Sequence, residues 1–525
     1  MKLKQFKKEK LTKKQRLPII IVGCFCLIFL LIAIYQSFAA YNIKHSERIV
    51  DAKVGSMYDI RILAIYIDNK SQPNMTEFPA DKTFSHVECF VNGEYREDII
   101  GTWENDALRI RGFTAKTDCN VYFVSFIIDL DTNMIPIMWH NNGWVKANVN
   151  NTGTHSWYDY DNFRWANAVL VSNPSVHRNN AVGTPVPEAD ILAYFVYIPR
   201  YRYQLWNAEN GTSQPQMINV EFQRKTDTKS TGSTNGTWLT HPAFTFGTAE
   251  LNGIWVGKFT TTGTGANPRI KPTQNILINQ NVSTPFATAK RFETNPEFGI
   301  NTNNSINSHM MKNMEWGAAA YLSMSKYGKW NNSAYTAGDA RQVWKNNNTN
   351  YVTGCSGGSP TAEGTDQGAN NCTNIYSSAI GIGASTTGTI YGIYDMNGGT
   401  IEAVMGVMDN SNNTPFQISQ SGFTSAPNQK YWDRYAYGTT FNNAAAFARG
   451  RLGDATRETL SGTGGSLSSW FGNASDFTDL ERSFFFRGGV ARWAGTTTGL
   501  FAYSRTMGAI LVSNDMGLRS VLVFE

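Results

Sequence analysis

A series of short runs of β-branched and aromatic residues, separated by turn residues, limits this chain to a β-rich fold. In part the runs alternate apolar with polar side chains, which is the pattern of half-buried β-strands. We predict from them a small all-β sandwich domain over residues 41–131. It contains no cluster of His, Asp and Glu with catalytic spacing, so we interpret it as a spacer. The runs are residues 58–68, 84–91, 107–113 and 119–129.

The composition fits a globular protein of this kind. The 525 residues suffice for two or three domains, each with its own core. Hydrophobic residues make up 41% of the chain and charged residues only 17%, while Gly, Asn, Ser and Thr are plentiful. Such a composition is typical of a β-rich, loop-rich protein rather than of a coiled coil or a disordered chain.

The positive charge of the chain is local. Residues 1–16 hold eight Lys and Arg side chains and one acid, a net charge of +7, whereas the whole chain carries +5, which leaves −2 for the rest. The sequence therefore indicates no basic surface for nucleic acid, and nucleic acid is not a predicted partner.

Residues 17–35, LPIIIVGCFCLIFLLIAIY, contain no charged side chain. A helix that crosses a bilayer needs about 20 such residues, and its basic flank stays cytoplasmic. We predict a cytoplasmic tail over 1–16, a transmembrane anchor over 17–38, and a single-pass protein of the cell membrane with extracellular C-terminal domains. The alternative is a cleaved signal peptide, because residues 37–39 resemble a cleavage site, but the apolar run exceeds the usual length of about 7–15 residues.

Four cysteines lie outside the apolar run and form two local pairs, Cys89 with Cys119 and Cys355 with Cys372. Thiols of an exported protein persist as disulfides, so we predict both bonds, each of which stabilises the fold by roughly 3–4 kcal/mol. Four unpaired buried thiols are the alternative. Neither pair has the C-x-x-C spacing of a zinc site.

Strand-like and helical patterns mix after residue 131. Residues 134–149 place Asn-Asn-Gly between two Trp-bearing runs, which predicts a β-hairpin. Residues 309–328 predict a helix, because apolar side chains fall on one face at spacings of three and four. We interpret this apolar stripe as core rather than as a cofactor site. It consists of Met311, Met314, Ala318, Tyr321 and Leu322.

The residues alone give no argument for catalysis. Seven histidines are scattered along the chain without an H-E-x-x-H spacing. The G-x-S-x-G at residues 354–358 lacks the preceding buried strand and the following helix of a nucleophile elbow. No phosphate-binding loop occurs, and the carboxylates are too dispersed to nominate an acid–base pair.

Six segments of the C-terminal part follow one another in the order of a known family. They read YIPRYRYQLW, GIWVGKFTT, NMEWGAAAYLS, YGIYDMNGGTIEAVMG, FRGG and GLRSVLVF. Their order resembles the formylglycine-generating-enzyme-like, or sulfatase-modifying-factor-like, branch of the C-type-lectin fold. The resemblance covers residues 191–525. It implies an α+β fold, with a C-type-lectin-like domain over 132–525 that follows the anchor helix and the β sandwich.

Two features of these motifs bear on function. The oxidase of this family uses a pair of cysteines a few residues beyond its Arg-Gly-Gly, whereas no cysteine follows residues 487–489 here. Without a thiolate there is no copper ligand or redox nucleophile, so we predict that the protein is not an enzyme.

In some relatives the turn at residues 397–406 binds calcium, which makes Asn397 and Glu402 candidate ligands and calcium the candidate cofactor. The alternative for Glu402 is a buried carboxylate bonded to backbone amides.

A second branch with the same fold fits the C-terminal segment better. In target proteins of diversity-generating retroelements and related bacterial surface proteins, this segment runs from RGG through a variable stretch and G-x-F to GFR. The resemblance implies that framing residues such as Phe501, Leu518 and Val521 are buried, while the side chains between them are exposed and bind the ligand. The predicted ligand-binding residues are Arg492, Trp493, Thr496, Thr497, Tyr503, Ser504, Arg505 and Met507.

These residue types suit recognition. Trp, Tyr and Arg dominate the energetics of interfaces, and Thr and Ser add adaptable hydrogen bonds. The alternative is that Trp493 and Tyr503 belong to the core and that the arginines are only solvated. Trp493 and Met507 do not arise from adenine-directed change of an asparagine codon, which argues against active diversification of the segment.

The sequence thus predicts a membrane-anchored extracellular ligand-binding or display protein. It is non-catalytic and recognises an unknown protein or glycan through its C-terminal segment. Two alternatives stay open: an oxidase of the formylglycine-generating type or a related enzyme, and a structural envelope protein or prophage-encoded attachment protein.

Overall fold

The structure, a computed structural model, describes most of the chain from residue 41 onward. Contacts between residues divide the chain into two compact units, Met1–Ser125 and Phe126–Glu525. Residues 1–40 lie outside the described part, as do 45–51, 55–57, 69, 76, 80–81, 105–106, 114–115, 279, 301–304, 331–342, 344–352, 354–374, 413, 419–420, 463–467, 479–482, 490–497 and 505–515.

Two β-sheets of the first unit share one apolar core. One sheet has three strands in the order β1-β8-β7, and the other has six, with the path β2-β3-β9-β5-β6 and β4 paired to β3. Both sheets contribute to the core, for example through Leu108, Ile65 and Val121. The strands are β1 Tyr41–Lys44, β2 Ala52–Val54, β3 Tyr58–Ile67, β4 Lys70–Ser71, β5 Thr83–Val91, β6 Glu94–Tyr95, β7 Ile100–Glu104, β8 Ala107–Arg111 and β9 Thr117–Val124.

A disulfide joins the two central strands of the larger sheet. Cys89 on β5 lies directly opposite Cys119 on β9 in the antiparallel register, and the two sulfur atoms are bonded. Both residues are fully buried. This predicted disulfide is confirmed, whereas Cys355 and Cys372 lie outside the described residues.

A seven-stranded antiparallel sheet forms the centre of the second unit, in the order β11-β10-β12-β13-β19-β28-β22. Asn141 and Asn142 join β10 to β11 with φ angles of 48° and 62°, the backbone that a two-residue hairpin turn requires. The predicted hairpin is therefore confirmed. The strands are β10 Met134–His140, β11 Gly143–Lys146, β12 Asn167–Val171, β13 Ile191–Pro199, β19 Gly253–Gly257, β22 Ile306–Met310 and β28 Ser520–Phe524.

A five-stranded sheet is centred on β23, which is buried along its whole length. It pairs with β24 and β27 in parallel and with β25 in antiparallel orientation, and β26 pairs with β25. The strands are β23 Ile401–Met408, β24 Asp433–Tyr435, β25 Phe484–Gly488, β26 Tyr503–Ser504 and β27 Met516–Leu518.

Smaller elements complete the second unit. The strands are β14 Tyr201–Gln204, β15 Val220–Phe222, β16 Trp238–Thr240, β17 Thr245–Phe246, β18 Ala249–Glu250, β20 Thr262–Gly263 and β21 Pro268–Arg269. The α-helices are α1 Pro174–Asn179, α2 Ser283–Ala289, α3 Arg291–Thr294, α4 Asn313–Ser323 and α5 Ala444–Phe447. Short 3-10 turns occur at Tyr160–Asn162, Pro242–Phe244, Pro296–Phe298, Gly381–Ala384, Gln429–Tyr431, Arg457–Thr459 and Trp470–Gly472.

Helix α4 occupies part of the region predicted as a helix. It begins later than predicted because residues 306–310 form β22 and pair with β28. All eleven residues of α4 are buried. Met311 and Met314 belong to the core, as predicted from the apolar stripe. A helix buried on all sides is surrounded by other elements, and α4 lies beside β23, β13 and the 3-10 turn Pro242–Phe244.

A buried ion pair connects the two large sheets of the second unit. Arg519, between β27 and β28, donates from Nε to Glu402 Oε2 at 2.9 Å and from Nη2 to Glu402 Oε1 at 2.5 Å. Glu402 belongs to β23. The same guanidinium donates to the carbonyl oxygen of Gly257, at the end of β19, at 2.7 Å, and to that of Tyr394 at 2.9 Å. Both charged side chains are fully buried, so this one group ties the sheets together.

The predicted fold class is wrong. The described residues are mostly β, with short helices of which α4 is the longest, so the unit is not the α+β domain that the motifs implied. Among the described residues, α4 with eleven residues is the one helix of several turns.

The predicted single-pass topology is corrected as well. Among the residues that the structure describes, no helix is both long and apolar enough to cross a bilayer. The tail over 1–16 and the anchor over 17–38 lie outside these residues, and we do not carry the membrane localisation further.

Breaking the Arg519–Glu402 pair tests its contribution to the fold. Glu402→Gln removes the charge that compensates a buried guanidinium, so we expect the free energy of unfolding to fall by roughly 3–5 kcal/mol. Denaturant unfolding of the full chain measures the change. The control is Glu221→Gln, which breaks the exposed pair with Arg202 and is expected to cost less than about 1 kcal/mol. Equal losses in the two variants would contradict the role of the buried pair.

Candidate functional site

A cleft with a volume of about 850 Å³ opens in the second unit, within the size range of small-ligand sites. Three segments supply most of its wall, residues 229–248, 312–314 and 428–433, and Arg451 and Glu525 complete it. The β17–β18 hairpin, the start of α4 and the start of β24 therefore meet around one cavity. We call it the Phe246 cleft.

Phe246, at the end of β17, is the ring around which charged side chains gather. The Nζ atoms of Lys312 and Lys430 lie 5.1 and 5.0 Å from its centroid, the distance of cation–π contacts. The imidazole of His309 stacks on the same ring with a centroid separation of 4.8 Å. The electron-rich ring thus stabilises two ammonium groups that repel each other.

Two carboxylates hold the N-terminus of α4 at the cleft. The backbone N–H of Met314 donates to Asp433 Oδ2 at 2.7 Å, and that of Lys312 donates to Glu315 Oε2 at 2.8 Å. These bonds satisfy two amides at the start of the helix, where the helix itself supplies no acceptor. Glu315 Oε1 also lies 2.8 Å from His309 Nε2, which connects the helix start to the imidazole on Phe246.

Two lysines of the wall are closely paired with carboxylates. Lys430 Nζ donates to Glu525 Oε1 at 2.7 Å, and Lys229 Nζ donates to Glu250 Oε1 at 2.7 Å. Their positions are therefore fixed, and their charges are largely compensated within the protein.

Lys312 and Arg451 differ from those two lysines. The side chain of Lys312 is only 6% exposed, and its Nζ lies 3.8 Å from Glu315 Oε1. The side chain of Arg451 is 43% exposed, and its Nη1 lies 3.9 Å from Asp433 Oδ1. Both distances exceed hydrogen-bond length. In the part of the chain that the structure describes, neither cationic group donates a hydrogen bond.

The pKa values of the two inner carboxylates are shifted in opposite directions. Burial raises the pKa of Glu315, but the charges of His309 and Lys312 outweigh burial and hold this pKa below its usual 4.5. Burial also raises the pKa of Asp433, and the charges of Lys312 and Arg451 offset burial only in part, so this pKa stays above its usual 3.8.

One predicted binding residue, Tyr503, lies in the core. It is fully buried, and its ring centroid lies 6.0 Å from that of Phe447 and 6.3 Å from that of Phe485. The prediction that its side chain is exposed is wrong, because the pairing of β26 with β25 turns the ring inward. Ser504 lies in the same strand. Outside the described residues lie Arg492, Trp493, Thr496, Thr497, Arg505 and Met507.

The residues predicted to frame that segment are buried. Phe501, Leu518 and Val521 all have no exposed surface. Gly488, at the end of β25, has a φ of 73°, and a Cβ atom there would lie 2.3 Å from the carbonyl oxygen of Met396. Only glycine fits this position. The ends of the segment are therefore built into the core.

Of the two candidate calcium ligands, Asn397 is buried, and Glu402 is committed to other partners. Both oxygens of Glu402 accept hydrogen bonds from Arg519, and Oε1 accepts another from the hydroxyl of Thr260 at 3.0 Å. A divalent cation at this carboxylate would touch a guanidinium. The described residues also contain no group of three or more His, Cys, Asp or Glu side chains that could hold a metal ion. The partners of Glu402 are thus side chains, not the backbone amides of the alternative interpretation.

No protein-family model matches the sequence, and no curated protein matches it. The resemblance given above therefore stays a prediction that depends on its motifs.

Sequence reasoning did not find the Phe246 cleft. Its three segments are far apart in the chain, and only the tertiary structure brings them together. One signal was available in the sequence, because Lys312 lies between the apolar residues Met311 and Met314 of the predicted helix stripe. A lysine that is forced into the core is rarely left without a partner, so such a position deserves a search for one.

The shifted pKa of Glu315 predicts a pH dependence of stability. Its ionised form contributes stability in full at pH values above the usual 4.5, and this contribution is lost as the pH falls through the lower pKa of the folded state. We expect wild type to exceed Glu315→Gln in free energy of unfolding at neutral pH, by an amount that shrinks on acidification below that value. Parallel denaturant titrations across this range measure the difference. A difference that stays constant would contradict the assignment.

Proposed function

We propose that this chain is a non-catalytic binding protein and that its ligand occupies the Phe246 cleft. The observation that carries the proposal is the pair Lys312 and Arg451, whose cationic groups lack hydrogen-bond acceptors among the described residues beside a cavity of about 850 Å³. Both cationic groups therefore keep donors that a ligand in the cavity can use. A bound ligand supplies the acceptor.

The rigidity of the cleft supports binding without rearrangement. Asp433 holds the start of α4, and His309 packs on Phe246. The backbone N–H of Arg451 donates to Asp454 Oδ2 at 2.8 Å, which fixes the base of that side chain. Groups that are already in place lose little freedom when a ligand binds.

Strongly shifted titratable groups outside the cleft support a role without catalysis. Such groups are the usual candidates for chemistry. Burial raises the pKa of Glu458 to about 7, yet its carboxylate is buried and accepts hydrogen bonds from Tyr203 and Tyr321. Burial lowers the pKa of Lys258 well below its usual value, yet its ammonium is buried and donates to Asn167 Oδ1 and to two backbone carbonyls. Both groups are engaged within the protein.

Of the two partner classes predicted from the sequence, the lining of the cleft favours a glycan. Hydroxyl and amide side chains bond the many hydroxyls of a sugar, and a concave site suits a chain of sugar rings better than it suits a flat protein surface. The side chains of this kind are Ser230, Thr231, Thr240, Thr245, Thr248, Asn428 and Gln429.

Blocking the cleft tests the proposal. Thr231 is exposed and lines the cleft, so Thr231→Trp is expected to fill part of the cavity and to weaken glycan binding at least roughly tenfold by steric exclusion. A printed glycan array, followed by titration of each glycan that wild type retains, measures the change. The matched control is Thr234→Trp at an exposed position outside the lining, which is expected to bind as wild type. Unchanged binding by Thr231→Trp, or an array without any glycan retained by wild type, would contradict the proposal.

A further inference from the structure

We propose that the Phe246 cleft recognises an anionic group of its ligand, a carboxylate, sulfate or phosphate, between Lys312 and Arg451. This inference rests on the proposed function and adds the chemical class of the ligand. It makes the preferred partner an acidic glycan rather than a neutral one.

The charge of the wall favours an anion. The lining contains four cationic side chains and two carboxylates. Both carboxylates are already bonded within the protein, since Asp433 accepts from Met314 and Glu525 accepts from Lys430 and Asn307. Among the charged side chains of the lining, the cations Lys312 and Arg451 are therefore the ones whose donors are still available to a ligand.

Lys312 provides the strongest argument. Its side chain is 94% removed from solvent, as only 6% is exposed, and its ammonium carries three donors. The carboxylate of Glu315 lies 3.8 Å from its Nζ and is already held by the backbone N–H of Lys312 and by His309. Its donors are therefore available to a ligand in the cleft, and hydrogen bonds from charged donors to anions are about twice as strong as neutral ones.

Arg451 supplies a second, independent cation on the same wall. Its guanidinium is partly exposed, and its contact with Asp433 is long, at 3.9 Å. The planar guanidinium presents five donors in a geometry that matches a carboxylate, sulfate or phosphate. Lys312 and Arg451 both act electrostatically on Asp433 and both line the cleft.

The start of α4 adds to the field at this place. The helix has eleven residues, and its N-terminus carries a partial positive charge. Asp433 compensates part of that charge. Because burial raises the pKa of Asp433, protonation of this carboxylate on acidification makes the cleft more positive. Affinity for an anion that stays ionised therefore rises as the pH falls.

A neutral ligand does not fit these charges as well. It would bury Lys312 further from water without a counter-charge, which costs free energy. A cationic ligand would add repulsion from Lys312, Lys430 and Arg451. The same wall therefore selects against both kinds of ligand.

The experiment compares two ligands that differ only in charge. Isothermal titration of the full chain with trigalacturonate and with its methyl ester, which removes the charge and keeps the sugar rings, measures the contribution of the carboxylates. We expect the acid to bind at least roughly tenfold more tightly than the ester. Inorganic sulfate and phosphate, titrated separately, tell whether an isolated anion suffices.

Variants then assign the contact. Lys312→Met and Arg451→Gln are each expected to weaken trigalacturonate binding roughly 10- to 100-fold and to leave the ester nearly unaffected. Thermal unfolding reports whether the buried substitution Lys312→Met unfolds the chain. If it does, Arg451→Gln still tests the contact, because Arg451 is partly exposed. Asp433→Asn retains an acceptor for Met314 and is expected to tighten trigalacturonate binding at neutral pH. The control is Lys271→Met, whose lysine pairs with Glu188 and is not part of the lining.

The outcomes separate this inference from the proposed function. If the ester binds as tightly as the acid and Thr231→Trp weakens both, the cleft is a binding site and the anionic specificity is wrong. If wild type binds neither trigalacturonate, sulfate nor phosphate with a Kd below about 1 mM, the inference is wrong too. Equal losses for acid and ester in Arg451→Gln would also overturn it, because a charge contact weakens only the acid.

Discussion

The fully buried ion pair between Arg519 and Glu402 determines how the second unit is assembled. One guanidinium bonds to the carboxylate on β23 and to the backbone oxygens of Gly257 and Tyr394. It thereby joins the seven-stranded sheet to the five-stranded sheet through side-chain bonds. A buried pair of this kind adds little net stability compared with an apolar contact, but its directional bonds fix the geometry. Removing either partner would leave a charge in the core.

The Phe246 cleft lies where elements of those two sheets end. β22 leads directly into Lys312 and α4, β28 is followed by Glu525, and β24 begins with Asp433. Any change in the relative position of the sheets would therefore move the cations of the cleft. The carboxylates and the cations of the cleft lie at the junction of the two sheets. The geometry of the binding site therefore depends on the ion pair that joins those sheets.

The local features were predictable from the sequence, and the long-range ones were not. Alternation of side chains predicted β3 and β5 to within one residue, whereas the predicted runs 107–113 and 119–129 end two and five residues beyond β8 and β9. The two cysteines of the first unit predicted the bond between Cys89 and Cys119. The predicted fold class was wrong because the motifs that carry the family resemblance do not show how much of the chain forms helices. The predicted exposure of Tyr503 was wrong because strand pairing determines which way an aromatic ring points. The cleft has no local signature, since residues such as Phe246 and Asp433 meet only in the folded chain.

Hydrogen exchange of the full chain with and without trigalacturonate tests the central claim most directly, because it reports where the bound anion is without any substitution. Our account predicts slower exchange in peptides that cover residues 239–248, 310–315 and 428–433, and unchanged exchange in peptides that cover 498–504. Slower exchange confined to the C-terminal segment, with no change at the three cleft segments, would contradict the account and would return the recognition surface to the position first predicted from the sequence.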